Sequence, residues 1–158
     1  MNLLYSIIIP VYNRPNEIDE LLDSLTKQDF TGYFEVLIIE DGSAEKSDLI
    51  FEKYKNQLHL KYFFKENSGA GASRNFGMEN ALGTYFIILD SDVIVPEHYL
   101  SEVKKGLDTK YTDAFGGPDA AHVSFTPLQK AINYAMTSIL TTGGIRGKKQ
   151  AFGKFQPR

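Results

Sequence analysis

The sequence predicts an α/β fold built on a doubly wound, mostly parallel sheet, and three observations carry that prediction. Apolar runs without alternation, at residues 5–9, 34–39 and 85–89, have the composition of strands buried on both faces. Helical stripes stand between them, so strand and helix alternate along the chain. Each run also leads into polar residues: Tyr12-Asn13 after the first, Glu40-Asp41 after the second and Asp90-Ser91-Asp92 after the third. The carboxyl edge of an open α/β sheet is where ligands bind.

Taken in order, residues 5–9 form a first strand stopped by Pro10, and Val11-Tyr12-Asn13-Arg14-Pro15 turns the chain. Asn16 is the expected cap of a helix in which Ile18, Leu21, Leu22 and Leu25 fall at i, i+3, i+4 and i+7. The second strand ends at Ile39, and Glu40-Asp41-Gly42-Ser43 is the expected turn into a helix over residues 47–57. A third strand over residues 58–65 is less buried, because His59, Lys61 and Lys65 interrupt it. A small-residue loop, Ser68-Gly69-Ala70-Gly71-Ala72, then opens a helix running to about Leu82. After the strand at 85–89 comes a helix over 96–107 and a short broken strand over 114–119. Beyond Pro127, Leu128, Ala131, Ile132, Ala135, Met136, Ile139 and Leu140 mark an amphipathic helix. Its apolar face calls for a partner, which the sheet, a membrane surface or a further domain would each supply.

The chain of 158 residues, 42% hydrophobic and 23% charged, is read as a single domain over residues 1–158, with 141–158 as a basic loop or tail. Without cysteine there is neither a disulfide framework nor a thiolate metal site, so any metal takes oxygen ligands. A net charge of −3 argues against nucleic acid as the main partner. The N-terminus lacks a basic leader and no apolar run has the length of a span, so the expectation is a soluble, cytoplasmic chain. Asp119 is the last carboxylate side chain, and the charges after it are all basic.

The pair Asp90 and Asp92 is the strongest chemical signal. One residue apart at a strand's carboxyl end, the two carboxylates can share a crevice, and Mg²⁺ or Mn²⁺ is typically held by one or two carboxylates with water and substrate phosphates. The competing reading makes Asp92 a helix cap ahead of Pro96. Arg74, early in the helix after the glycine loop, is either a solvated surface charge or a fork for a nucleobase carbonyl or a phosphate. The loop itself is not a dinucleotide fingerprint, since it lacks G-x-G-x-x-G after the first strand.

Four motifs in order, Ser-Ile-Ile-Ile-Pro-Val-Tyr-Asn-Arg, Glu-Asp-Gly-Ser, Asn-x-Gly-x-x-x-Ser-Arg-Asn-x-Gly and Leu-Asp-Ser-Asp, span residues 6–92. Together they resemble the family 2 inverting glycosyltransferases of the GT-A fold, a Rossmann-like architecture. The resemblance implies that Pro10, Val11 and Tyr12 line the nucleoside and that Asp41 accepts a hydrogen bond from the uracil N–H. It further implies that Arg74 approaches the same base, that Asp90 binds the ribose with Ser91 beside it, and that Asp92 ligates Mn²⁺ or Mg²⁺ bridging to the diphosphate.

An inverting transfer also needs a general base for the acceptor hydroxyl. Family members place it in a later acidic motif that this sequence lacks. The expectation is therefore a donor-binding portion of a longer enzyme, since such domains run to roughly 200 residues or more, with the base beyond Arg158 and Asp119 as a fallback. The expected donor is a UDP-sugar, GDP and dTDP sugars being the other options, and the acceptor a glycan, lipid-linked or polysaccharide molecule. The amphipathic segment and basic tail are compatible with peripheral membrane association of the parent enzyme. Two other classes compete: a nucleotide-binding module without turnover, and an unrelated nucleotidyltransferase, which would carry its phosphate loop directly after the first strand.

Overall fold

The computed structural model describes residues 3–114, 116 and 126–138. The chain divides into two units, Met1–Tyr111 and Thr112–Arg158. The first holds β1 (Leu3–Val11), α1 (Pro15–Thr26), β2 (Tyr33–Asp41), α2 (Asp48–Tyr54), β3 (Leu60–Lys65), α3 (Ala70–Asn80), β4 (Tyr85–Ile88) and α4 (Tyr99–Thr109). In the second, the described element is α5 (Pro127–Thr137). The strand expected over 114–119 lies largely outside the described residues, and so do Asp119 and the 141–158 tail. No described helix is long and apolar enough to cross a membrane.

The four strands of the first unit form one parallel sheet in the order β3-β2-β1-β4. The chain steps outward from β1 to β3 and then returns to the far side of β1, so the strand order reverses there. A crevice at the carboxyl ends of β1 and β4 is the geometric result. Successive residues point to opposite sides, and both faces of the central strands β1 and β2 are covered. Strand β4, expected to be buried on both faces, is an edge strand that buries Ile87 and leaves Phe86 and Ile88 about half exposed. Ile7, Ile9, Val36 and Ile38 pack with Ile18, Leu21, Leu22 and Leu25 of α1 in one core. Ile8, Leu37 and Ile39 face the other way, against Phe63, Phe76 and Met78. All four apolar residues of the α1 stripe are essentially withdrawn from water, each stabilising the fold by about 1.5–3 kcal/mol relative to exposure.

Gly77 lets α3 lie close on the sheet: a Cβ there would stand 2.4 Å from Ile8 Cγ2. The edge-to-face contact of Phe63 and Phe76, with centroids 5.5 Å apart, closes the same layer.

Several boundaries differ from the sequence expectation. Asn16 is not the cap of α1; Arg14 holds that position, and Pro15 begins the helix, where its fixed φ suits the first turn and its missing N–H costs nothing. Glu40 and Asp41 belong to β2 rather than to a turn. The ladder with β3 runs on to the pair Asp41 and Lys65, and both acids accept hydrogen bonds from neighbouring side chains and loop N–H groups. Helix α2 is shorter than residues 47–57, and α4 starts three residues after Pro96.

Candidate functional site

At the carboxyl edge a crevice of about 340 Å³ opens between the ends of β1, β2 and β4. Its wall is formed by Pro10, Val11 and Tyr12 from β1 and the turn after it, Asp41 from β2, and Asp90, Ser91 and Asp92 from the turn after β4. Seven of the eight residues assigned to the donor site in the sequence thus meet at one place, while the fallback base Asp119 lies outside the described residues. The eighth, Arg74, reaches it through Asp90: the guanidinium Nη2 donates to Asp90 Oδ1 at 2.7 Å. Two residues of the wall, Arg14 and Ala70, were not anticipated.

Asp41 is 3% exposed. Lys65 Nζ and the Ser68 N–H (2.9 Å) donate to Oδ1, and the Gly69 N–H (2.8 Å) donates to Oδ2. Burial pushes the carboxyl pKa up, but Lys65 and the two backbone donors outweigh it and hold the group below the ordinary carboxylate range. Asp41 is therefore an ionised acceptor. A carboxylate has about four lone-pair sites, so three donors leave room for one more. The glycine loop owes its shape to this contact. Gly69 takes φ +88° as the cap of α3, and Gly42, at φ +73°, lies 2.7 Å by its would-be Cβ from the Asn67 nitrogen. The N–H groups of Ser68 and Gly69 bind Asp41.

Lys65 entered the sequence reading only as an interruption of β3. Its position at the end of a strand pairing with β2, three residues before the small-residue loop, is the signal that could have assigned it.

The turn after β1 is braced from β2. Asn13 takes a positive φ of 53°; its N–H donates to Ser43 Oγ at 2.8 Å, and its Oδ1 accepts from the N–H groups of Ala44 (2.8 Å) and Glu45 (3.1 Å). Asparagine tolerates the left-handed region because its side chain can bond locally in this way. Arg14 follows, and its Nη1 donates to Asp92 Oδ2 at 2.5 Å. Asp92 caps no helix, since α4 begins at Tyr99 behind His98.

The neighbouring acid Glu40 plays a different part. It is fully buried and accepts from Ser43 Oγ, from the Ser47 N–H at 2.9 Å and from Tyr62 Oη at 3.1 Å, tying the loop after β2 to β3. Glu35, also fully buried, joins Ser6, Leu82 and Lys61 in the same manner. Both carboxylates hold the frame on which the crevice is built.

A parallel sheet with this strand order and an acid-rich crevice at its reversal point is that of a GT-A-like α/β domain. The chain belongs to glycosyl transferase family 2, whose model, Glycosyl transferase family 2, matches residues 6–156. Among relatives of known sequence, the poly(ribitol-phosphate) beta-N-acetylglucosaminyltransferase TarS of Staphylococcus aureus is 37% identical over 112 residues, covering 69% of this chain and 20% of TarS. An uncharacterized glycosyltransferase of Rickettsia typhi is 39% identical over 111 residues, covering 68% of this chain and 34% of that protein. The crystal structure of S. aureus TarS 1-349 in complex with UDP superposes with a TM-score of 0.66 at 32% identity, covering 74% of this chain and 38% of that one. The crystal structure of the same TarS segment in complex with UDP-GlcNAc matches at 33% identity with the same TM-score of 0.66. The mannosyltransferase PcManGT of Pyrobaculum calidifontis, in complex with GDP-Man and Mn²⁺, shares the fold at a TM-score of 0.62 and 24% identity, covering 68% of this chain and 33% of that one. The chain thus spans well under half the length of these relatives.

Proposed function

We propose that the chain is the donor-binding part of an inverting glycosyltransferase that takes a sugar from a nucleoside diphosphate, UDP before GDP or dTDP, and passes it to a glycan, lipid-linked or polysaccharide acceptor. One observation carries the reading: an obligate acceptor, Asp41, and a carboxylate pair, Asp90 and Asp92, come from separate strands to one crevice. Asp41, ionised and with one acceptor site left, suits a base edge that presents an N–H, as uracil does. Tyr12, 54% exposed at the crevice, offers a ring on which a base can stack. The structures of TarS with UDP and UDP-GlcNAc support uridine among the nucleosides with such an edge. A family model that crosses both units supports reading the whole chain as one nucleotide-sugar-binding domain.

The oxygen donors of Asp90 and Asp92 fit a hard cation of the Mn²⁺ or Mg²⁺ class, which leaves most of its positions to water and phosphate. Asp92 is the proposed ligand and Asp90, steered by Arg74, the proposed ribose contact. What such an ion supplies when bound is neutralisation of the charge that builds on the departing diphosphate. The chain's own residues bind and orient: Pro10 and Val11 shape the floor, Tyr12 and Asp41 fix the base, and Ser91, buried between the two acids, sets their spacing. Among the described residues, the crevice wall carries no carboxylate besides Asp41, Asp90 and Asp92, so the general base is proposed to come from outside the described residues.

Thermal unfolding in a panel of nucleoside diphosphates with Mn²⁺ tests the reading. UDP should raise the midpoint most and CDP, whose N3 is an acceptor facing the Asp41 carboxylate, least; an equal rise with both would refute the role given to Asp41.

A further inference from the structure

Both acids of the Asp-Ser-Asp turn are engaged by an arginine from a distant element: Arg74 of α3 on Asp90, and Arg14 from the β1–α1 turn on Asp92. The second pair is the more informative. Arg14 projects from a backbone that cannot easily relax, with Asn13 before it locked at positive φ by three hydrogen bonds to the β2 loop and Pro15 after it fixed at the start of α1. Its guanidinium lies in the crevice wall and donates to Asp92 Oδ2 at 2.5 Å. One oxygen of the carboxylate offered to a divalent ion is already paired with a positive charge.

We propose that Arg14 is a built-in counter-cation of the metal position, which competes with an arriving metal ion for the Asp92 carboxylate and then turns to the diphosphate that arrives with the ion. The inference rests on the reading of Asp92 as metal ligand. Its physical content is a competition. Two cations cannot share one carboxylate oxygen at contact distance without mutual repulsion, so metal alone binds against the ion pair. A nucleoside diphosphate changes the balance, because its phosphate oxygens receive both the ion and the released guanidinium, to which a planar fork is well suited. Arg14 therefore makes the crevice favour the metal and nucleotide together over either alone, a coupling that linkage makes reciprocal. Because Arg14 and Asp92 are each about half exposed (46% and 51%), the ion pair is weak enough to yield, and removing it is expected to tighten metal binding by about two- to fivefold.

Titration of the 158-residue chain with Mn²⁺, following free Mn²⁺ by electron paramagnetic resonance with and without UDP, tests this in wild type, Arg14→Gln, Asp92→Asn and the double variant. In Arg14→Gln, Mn²⁺ alone should bind about two- to fivefold more tightly, and the gain in affinity on adding UDP should shrink. Asp92→Asn should weaken Mn²⁺ in both backgrounds. If Asp92→Asn weakens Mn²⁺ but the wild-type and Arg14→Gln isotherms superimpose, the counter-cation role is overturned while the metal-ligand reading stands. If Mn²⁺ binding ignores Asp92→Asn, the metal-ligand reading fails and the Arg14 inference fails with it. Isotherms in which neither wild type nor Arg14→Gln retains Mn²⁺ also overturn it.

Discussion

Lys65, at the last position of β3, donates its ammonium to the Asp41 carboxylate at the end of β2, and the two side chains are only 16% and 4% exposed. The pair fixes the acceptor that the nucleobase is proposed to meet. Lys65→Met should leave Asp41 with its two backbone donors but a buried, uncompensated charge, a loss of about 2–3 kcal/mol. Urea denaturation at neutral pH should show that loss, and UDP affinity should fall with it.

The same contact makes an acid-side prediction. The folded-state pKa of Asp41 is lowered, so its contribution is complete above the ordinary carboxylate value of about 3.9 and is lost as pH falls through the lower folded value. Wild-type stability should therefore drop more steeply in that acid range than that of Asp41→Asn, which has no carboxyl there to protonate. Parallel pH–stability curves for the two proteins would contradict the assignment.

His98 behaves oppositely. Its Nδ1 lies 2.5 Å from Asp29 Oδ2, and that hydrogen bond, with the charge of Asp29, raises the imidazole pKa. A raised pKa contributes stability that is present below the ordinary histidine value of about 6.5 and disappears as pH rises through the folded value. NMR titration should find the His98 midpoint above that ordinary value, and Asp29→Asn should bring it back.

Gly77 stands under Ile8 with no room for a methyl group, since an added Cβ would fall 2.4 Å from Cγ2. Gly77→Ala gains helix propensity of about 1 kcal/mol but forces α3 off the sheet, at an overpacking cost of about 1–3 kcal/mol. The expected net effect in chemical denaturation is a loss of up to about 2 kcal/mol.

Tyr12 should separate binding from folding. Its ring is 54% exposed, so Tyr12→Ala should leave the unfolding midpoint nearly unchanged. Losing a base-stacking surface should weaken UDP by about 1–3 kcal/mol.

Strands β1 and β2 were legible because burial on both faces forces continuous apolar runs, and the α1 stripe was legible because one face of a helix must repeat at i, i+3 and i+4. The run in β4 carried the same signal although one of its faces is exposed at the sheet edge. Cap positions were not. Asn16 has the better capping side chain, but the braced turn at Asn13 places Arg14 at the cap and uses Pro15 to start the helix. The crevice residues could be found because polar residues follow the apolar runs at the sheet's carboxyl edge and because the four motifs there resemble those of the family. Arg14 and Lys65 were missed for a common reason: a cation's partner is decided by which elements the topology makes neighbours. Asp92 is 78 residues from Arg14, and Asp41 is 24 from Lys65. No local pattern carries the Arg14 pairing, and that of Lys65 shows only once β3 is placed beside β2.

The central claim, a metal-assisted nucleoside diphosphate site built from Asp41 and Asp92, is tested most directly by calorimetric titration of the chain with UDP, with and without Mn²⁺, beside Asp92→Asn and Asp41→Ala. The expected result is UDP binding that Mn²⁺ strengthens, that loses its Mn²⁺ dependence in Asp92→Asn and that weakens in Asp41→Ala. UDP binding that is indifferent to Mn²⁺ and to both substitutions, in samples shown to be folded, would contradict it.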